Sequence, residues 1–409
     1  MAKSLFLLAT CALGWFGCRS TGKSVAHVHP YHVILRAPFF IYDDDIFRWD
    51  KYAWVETDNE TLSVPQWMSQ GYWPVGDTNP KHTDDWWFLQ AALRHPMRTY
   101  DASEAKLFVV PTLVNLLMSS RIGHWRLGPR KFCMKTKNAT LCGEELLNAT
   151  DKKLSTSPWF KRNRGKDHIV VVSHIRPQGS KFLNKEKREW LYEAFPRCNI
   201  LGKYDIGEFR FNRKDRLFIP KNYASAPCAV ANEKTIDFAM IASFKDKPEF
   251  ETRRAICTIM NKTDYVMPVC GEGAQCPTLA KSKFGFHVRG DKPSSQRLND
   301  NILSGTVPIF TLKAQFEHRP FWIDWDELSY FADIEKSDTF LETIDAIYRD
   351  TEGYERRHAN ILSNSDLFNW TTIVPFDTMM QVALAHVHPE FSWPANASLP
   401  YSALLPGHL

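Results

Sequence analysis

The sequence has no large surplus of either charge. Its 51 Lys and Arg against 46 Asp and Glu leave a net charge of +5 over 409 residues, too little to coat a nucleic-acid-binding face. The N-terminal apolar run, Leu5 to Gly17, has the length of a signal peptide. It falls short of the roughly 17–25 residues that span a bilayer. Lys3 precedes it and Arg19 closes it, so residues 1–22 read as a leader, either a cleaved signal peptide or a short signal anchor in a thin early secretory membrane. No repeat period stands out, which argues against a repeat array. There is no Cys-x-x-Cys pair, so the usual zinc knuckle is excluded and the spacing of Cys257, Cys270 and Cys276 does not make a strong zinc site.

What is present points to a luminal history. Asn59, Asn138, Asn148, Asn261, Asn369 and Asn396 each begin an Asn-x-Ser/Thr sequon. Of the nine cysteines, Cys11 and Cys18 lie in the leader and seven follow it; three disulfides and one free thiol are expected in an oxidising lumen. Cys133 and Cys142 bracket a polar loop that such a bond would close. Aromatics make up 13% of the chain, with 14 Trp. Sugar faces stack on flat rings, but large cores hold rings too, so this count does not separate the two.

The length suits two or three domains. "FFIYDDD" from Phe39 reads as a strand ending in acids, and Thr83 or Asp84 caps a helix to Arg94 that His95-Pro96 stops. "KLFVVP" from Lys106, "HIVVVSH" from His168, "IDFAMIAS" from Ile236 and "DYVMPV" from Asp264 read as buried strands. "FGFHV" and "TVPIF" are two more, with a helix between them. Phe340, Leu341, Ile344, Ile347 and Tyr348 mark one face of a helix starting at Ser337 or Asp338. Strands alternating with helices predict an α/β fold with parallel sheets. The expected division is leader 1–22, first domain 23–215, second domain 216–385 and tail 386–409.

The stretch "HVRGDKPSSQRLNDNILSGTVPIF", His287 to Phe310, carries the densest chemistry. Ser295 is read as the cap of a short helix, and Gly305 as its C-terminal stop. Arg297 in the first turn offers a guanidinium fork suited to phosphate oxygens. Asp300, three residues on and on the same face, could accept hydrogen bonds from a ribose. The alternative is a surface ion pair between the two, worth about 0–1 kcal/mol. Arg289-Gly290-Asp291 also spells a cell-adhesion tripeptide; the favoured reading is that Gly290 turns the chain from a strand toward the helix.

These residues resemble the donor-site signature of the exostosin-like glycosyltransferases, glycosyltransferase family 47. The matching positions are Gly290-Asp291, Ser295-Gln296-Arg297-Leu298-Asn299-Asp300, Gly305 and Val307-Pro308-Ile309. "FFIYD", "RTYDASEAKLFVVP", "GKDHIVVVSH" and "RPFWIDWDELSYF" resemble other segments of that family in the family's order, over about residues 37 to 350. Asn301 stands where the family often has Ala, Thr306 where it often has Cys, and Ala242-Ser243 where a Gly is usual.

The resemblance implies two facing Rossmann-like domains of the GT-B type with a cleft between them. It implies an inverting, metal-independent transfer from a UDP-sugar to a glycan acceptor, with no cofactor beyond the nucleotide sugar. Arg289, Gly290, Ser295, Arg297, Asp300 and Arg253 are the donor-binding candidates. Arg253 and Arg254 adjoin on one helix, and only one of them can face a leaving diphosphate. His174 and Asp43, at strand ends of the first half, are candidate general bases. The expected setting is the Golgi or endoplasmic reticulum lumen, as a soluble or single-pass type II protein, alone or in an oligomer with a related transferase. A silent glycan-binding or complex-stabilising member is the alternative. Asp43 and Asp45 also satisfy Asp-x-Asp, the pattern of a metal-dependent transferase; solvated acids at a strand end are the preferred reading. The basic runs Arg121–Lys137 and Lys161–Lys166 read as solvated loops.

Overall fold

The structure, a computed structural model, describes residues 34–391 except 58–59, 70–82, 115, 118–130, 173–198, 203–217, 221–227, 229, 245–247, 272, 274, 291–294, 319 and 321. The leader, His174 and the tail beyond 391 lie outside the described residues. Among the described residues no helix is long and apolar enough to cross a membrane.

The first half is built on a six-stranded sheet in which every pairing is parallel. Its strands are β1 (Phe39–Ile41), β4 (Arg98–Thr99), β5 (Leu107–Val109), β8 (His168–Val172), β9 (Asn199–Gly202) and β10 (Phe218–Pro220). They lie in the order β10-β9-β8-β5-β1-β4. The middle strands are continuous apolar runs because a parallel sheet is covered on both faces; all three residues of β5 are buried. Helix α1 (Asp84–Arg94) is preceded by Thr83, whose hydroxyl accepts from the Trp87 indole N–H at 3.1 Å rather than capping a backbone amide.

A second, antiparallel sheet was not expected from the sequence. It joins β2 (Ala53–Glu56), β3 (Thr61–Ser63), β6 (Lys131–Lys135) and β7 (Thr140–Cys142) in the order β3-β2-β6-β7. Cys133 and Cys142 face each other across β6 and β7 and are disulfide-bonded. Helix α2 (Glu144–Thr156) follows.

The second half carries a five-stranded parallel sheet, β12-β11-β13-β14-β15. Its strands are β11 (Ile236–Ile241), β12 (Cys270–Gly271), β13 (Ser282–His287), β14 (Val307–Phe310) and β15 (Tyr330–Phe331), and it is flanked by helices α3 (Glu251–Met260), α4 (Gln275–Ala280), α5 (Arg297–Leu303), α6 (Ser337–Arg349) and α7 (Thr351–Asn364). The expected strand "DYVMPV" is not one. Val266 does bond to β11, its carbonyl accepting from Asp237 N at 3.0 Å, but Pro268 has no N–H to continue a ladder. Pairing resumes only at Cys270. In α6, Phe340, Ile344 and Ile347 are the buried residues, the stripe that the sequence spacing predicts.

Helix α5 sits close on β13 because Gly285 leaves room. A Cβ there would collide with Asn301, whose Nδ2 donates to the Gly285 carbonyl at 3.0 Å. Gly305 ends α5 at φ +64°, the left-handed geometry that glycine takes at a helix C-terminus.

Two expected boundaries need correction. Residues 218–220, assigned to the second domain, form the edge strand of the first sheet, so the changeover falls between Pro220 and Ile236. Helix α8 (Val374–Val387), assigned mostly to the second domain, packs on the first half. Phe376 meets Phe39 and Phe88, and the Asp377 carboxylate lies 2.7 Å from His95 Nε2 and accepts from Leu35 N. Two further disulfides, Cys228–Cys276 and Cys257–Cys270, join the second half. They occupy all three cysteines of the zinc alternative.

Candidate active site at the carboxyl ends of the second sheet

In open α/β sheets ligands gather at the carboxyl ends of the strands. Here the ends of β11, β13 and β14 are bracketed by side chains. Arg253, on α3, is buried at 6% exposure and lies over the Phe250 ring at 3.7 Å. Its Nη1 donates to the Ser243 carbonyl at 2.6 Å, just past β11. Its Nε and Nη2 donate to the Arg289 carbonyl at 3.0 and 2.6 Å, just past β13. Gln315 does the same between β13 and β14. Its Oε1 accepts from the amides of Thr311 and Leu312 (2.8 and 2.9 Å), and its Nε2 donates to the His287 carbonyl at 2.6 Å. Backbone groups that leave a sheet must find partners when buried; these two side chains supply them and hold three strand ends in fixed relation.

Helix α5 rises from this platform. Ser295 does not cap it. The preceding residue is Gln296, in helical geometry with no side-chain cap bond, and the Ser295 hydroxyl donates instead to the Val288 carbonyl at 2.9 Å. Ser295 thus ties the helix start to the end of β13. Arg297 and Asp300 share a face as their spacing predicts and are paired at 3.1 Å. The pair is not a solvated one: its side chains are 16% and 1% exposed. Arg289 is half-buried, and among the described residues its buried Nε has no hydrogen-bond partner. Gly290 follows it at the mouth of the loop. A carbonyl locked by Arg253 and a buried Nε are not what a freely displayed adhesion tripeptide offers.

The family departures lie beneath this surface. Asn301 fills the space over Gly285, and the Thr306 hydroxyl donates to the Leu279 carbonyl at 2.6 Å inside the core. At position 243 the backbone carbonyl receives Arg253.

In the first half, Asp43 is exposed just past β1, and its neighbour Asp44 pairs with Lys153 at 3.1 Å. Among the described residues no group of three His, Cys, Asp or Glu is placed to hold a metal. Behind this edge lies a polar chain that the sequence reading missed. Asp167 Oδ1 sits 2.7 Å from His168 Nδ1, His168 Nε2 lies 2.7 Å from the Tyr42 hydroxyl, and that hydroxyl lies 3.0 Å from Ser157 Oγ. Asp167 and His168 are fully buried. Burial pushes the His168 pKa down, against the pull of Asp167, so the ring is neutral. Burial alone would raise Asp167, but hydrogen bonds from His168 and Asn163 bring it below the usual carboxylate range. The polar pair opening the apolar strand "DHIVVV" was the available signal, since buried polar groups require partners.

The structure therefore brings Arg253, Arg289, Gly290, Ser295, Arg297 and Asp300 to one edge of one sheet. It places Asp43 at the corresponding edge of the other.

The family model described as the Exostosin GT47 domain matches residues 40–346, well over half of the chain. The chain belongs to the exostosin GT47 family. Among its relatives are two Arabidopsis thaliana proteins. One is named as a probable xyloglucan galactosyltransferase, GT17 (22% identical, covering 61% of this chain and 57% of the relative). The other is named as a probable arabinosyltransferase, ARAD1 (24% identical, covering 64% and 60%). The chain thus spans less than two thirds of the length of either. Similar solved structures include the pneumococcal O-GlcNAc transferase GtfA with UDP and GlcNAc (TM-score 0.32, 9% identity, 63% of this chain and 65% of that one). Anabaena Alr3699/HepE with UDP and glucose is another (TM-score 0.37, 9% identity, 69% and 78%). The fold itself rests on the two sheets described above.

Proposed function

We propose that the chain is a glycosyltransferase that moves a sugar from a UDP-linked donor to a glycan hydroxyl, with inversion at the anomeric carbon and without a metal. The observation that carries this reading is the pairing of family membership with two arginines, Arg289 and Arg297, at the carboxyl edge of the second sheet. In the reaction the acceptor oxygen bonds to the anomeric carbon as the bond from that carbon to the diphosphate breaks. Negative charge grows on the departing UDP, and preorganised guanidinium groups stabilise such charge. Arg289 and Arg297 take that role, with Gly290 allowing close approach of the backbone. The acceptor lies against the first half, across a cleft, where Asp43 or His174 receives the hydroxyl proton. Helix α5 has only seven residues, about two turns, so the side chains carry more of the work than the helix terminus. Relatives named as galactosyl- and arabinosyltransferases direct a donor screen to UDP-galactose and UDP-arabinose.

A luminal setting accompanies this proposal. It is supported by three disulfides and by exposed sequon asparagines at 138, 148 and 261. One observation favours a second reading, a glycan-binding member without turnover: the Asp300 carboxylate is 1% exposed and faces Arg297, which withdraws it from a ribose. Thermal-shift titration with UDP and UDP-sugars tests both. The account expects a UDP-dependent rise in Tm that Arg297→Ala abolishes in protein that is still folded. An unchanged shift in that variant would remove Arg297 from the site, and UDP binding with no transfer to any acceptor would select the silent reading.

A further inference from the structure

Arg253 was read in the sequence as a ligand of the leaving diphosphate. Its geometry argues for a different task. The guanidinium is held flat by Phe250, and its fork is aimed at two main-chain carbonyls, Ser243 and Arg289. Those carbonyls lie past the ends of adjacent strands β11 and β13, which pair in parallel from Ile236 to Ala239. Turning the fork toward a phosphate would leave both carbonyls without these donors, and an unmet buried polar group costs about 1–3 kcal/mol. The Arg289 carbonyl belongs to a residue whose own buried side-chain Nε has no hydrogen-bond partner among the described residues.

We propose that Arg253 is a positioning residue: by gripping the Arg289 carbonyl from the neighbouring strand end it sets the backbone of Arg289 and Gly290, and through them the guanidinium of Arg289 that meets the nucleoside diphosphate. This rests on the donor reading given above. Gln315 holds the other flank of the same strand through His287, so the carbonyls of His287 and Arg289 are both gripped by side chains. Lysine keeps the charge of arginine but not the planar fork, so Arg253→Lys separates charge from geometry.

The test is a double-mutant cycle on UDP affinity, measured by calorimetry on the full chain with Arg253→Lys, Arg289→Ala and the pair. Residues that act through one another give non-additive effects, and independent ones add. Each single variant is expected to bind UDP about tenfold more weakly, and the double variant no more than about twofold worse than Arg289→Ala alone. A double loss of about a hundredfold would mean that Arg253 contacts the ligand on its own account. Unchanged affinity in Arg253→Lys would overturn the proposal equally. Amide hydrogen exchange without ligand gives a second readout. Residues 287–290 exchange faster in Arg253→Lys if the grip is real, and at the wild-type rate if it is not. Should Arg253→Lys fail to fold, Phe250→Leu loosens the same guanidinium and enters the same cycle. Wild-type protein that takes up no UDP would overturn the donor reading instead, and the exchange measurement would still decide whether Arg253 fixes the loop.

Discussion

The two parallel sheets handle polar groups at their strands in opposite ways. In the first, Asp167, His168, Tyr42 and Ser157 bond side chain to side chain, in the core, with the imidazole held neutral. In the second, Arg253 and Gln315 bond side chain to backbone, at the strand ends, beside the half-buried Arg289. The first arrangement joins a strand to the helix covering it and contributes to stability. The second holds the ends of neighbouring strands in fixed relation.

The cross-links sharpen the contrast. Among the described residues the first half has one disulfide, between cysteines nine residues apart on neighbouring antiparallel strands, whereas Cys228–Cys276 closes a separation of 48. Loop-closure entropy grows with that separation, so losing the long bridge costs about 4 kcal/mol and losing the short one about 3 kcal/mol. Denaturant unfolding of Cys228→Ser/Cys276→Ser and Cys133→Ser/Cys142→Ser should reproduce that order. The reverse order would mean that the antiparallel sheet depends on its bridge more than chain entropy requires.

A smaller effect should appear with pH. His168 titrates in the folded chain below its usual 6.5, because burial disfavours the charged ring. The unfolded chain therefore binds a proton that the folded chain refuses as pH falls below about 6.5, and stability falls with it. His358 and His386 are lowered by burial in the same direction. Melting temperatures measured from pH 7 to pH 5 should drop in the wild type and drop less steeply in His168→Gln. An equal slope in both would show that the ring takes its proton within the fold.

Much of the framework was legible because short contiguous apolar runs bounded by turn residues fit buried strands of a parallel sheet. "LFV", "HIVVV", "IDFAMI" and "VPIF" are all strands of parallel sheets. The antiparallel sheet was not, because "AWVE" and "KFCMK" alternate only briefly and meet across more than seventy residues of chain. The return of α8 to the first half depends on His95 and Phe39, far away in sequence. At the candidate site, the i, i+3 spacing placed Arg297 beside Asp300, but spacing does not report burial. Nor could it tell a guanidinium aimed at a phosphate from one aimed at carbonyls, which is why Arg253 was read as a ligand. Gln315 carried no signal at all, since its partners are backbone groups of three separate residues.

The most direct measurement is a crystal structure of the chain with UDP bound. The account predicts the diphosphate at the carboxyl ends of β11, β13 and β14, with its oxygens on Arg289 and Arg297 and the Arg253 fork still on the carbonyls of Ser243 and Arg289. UDP bound anywhere else, or bound there with Arg297 still turned wholly to Asp300 and Arg289 pointing away, would contradict it.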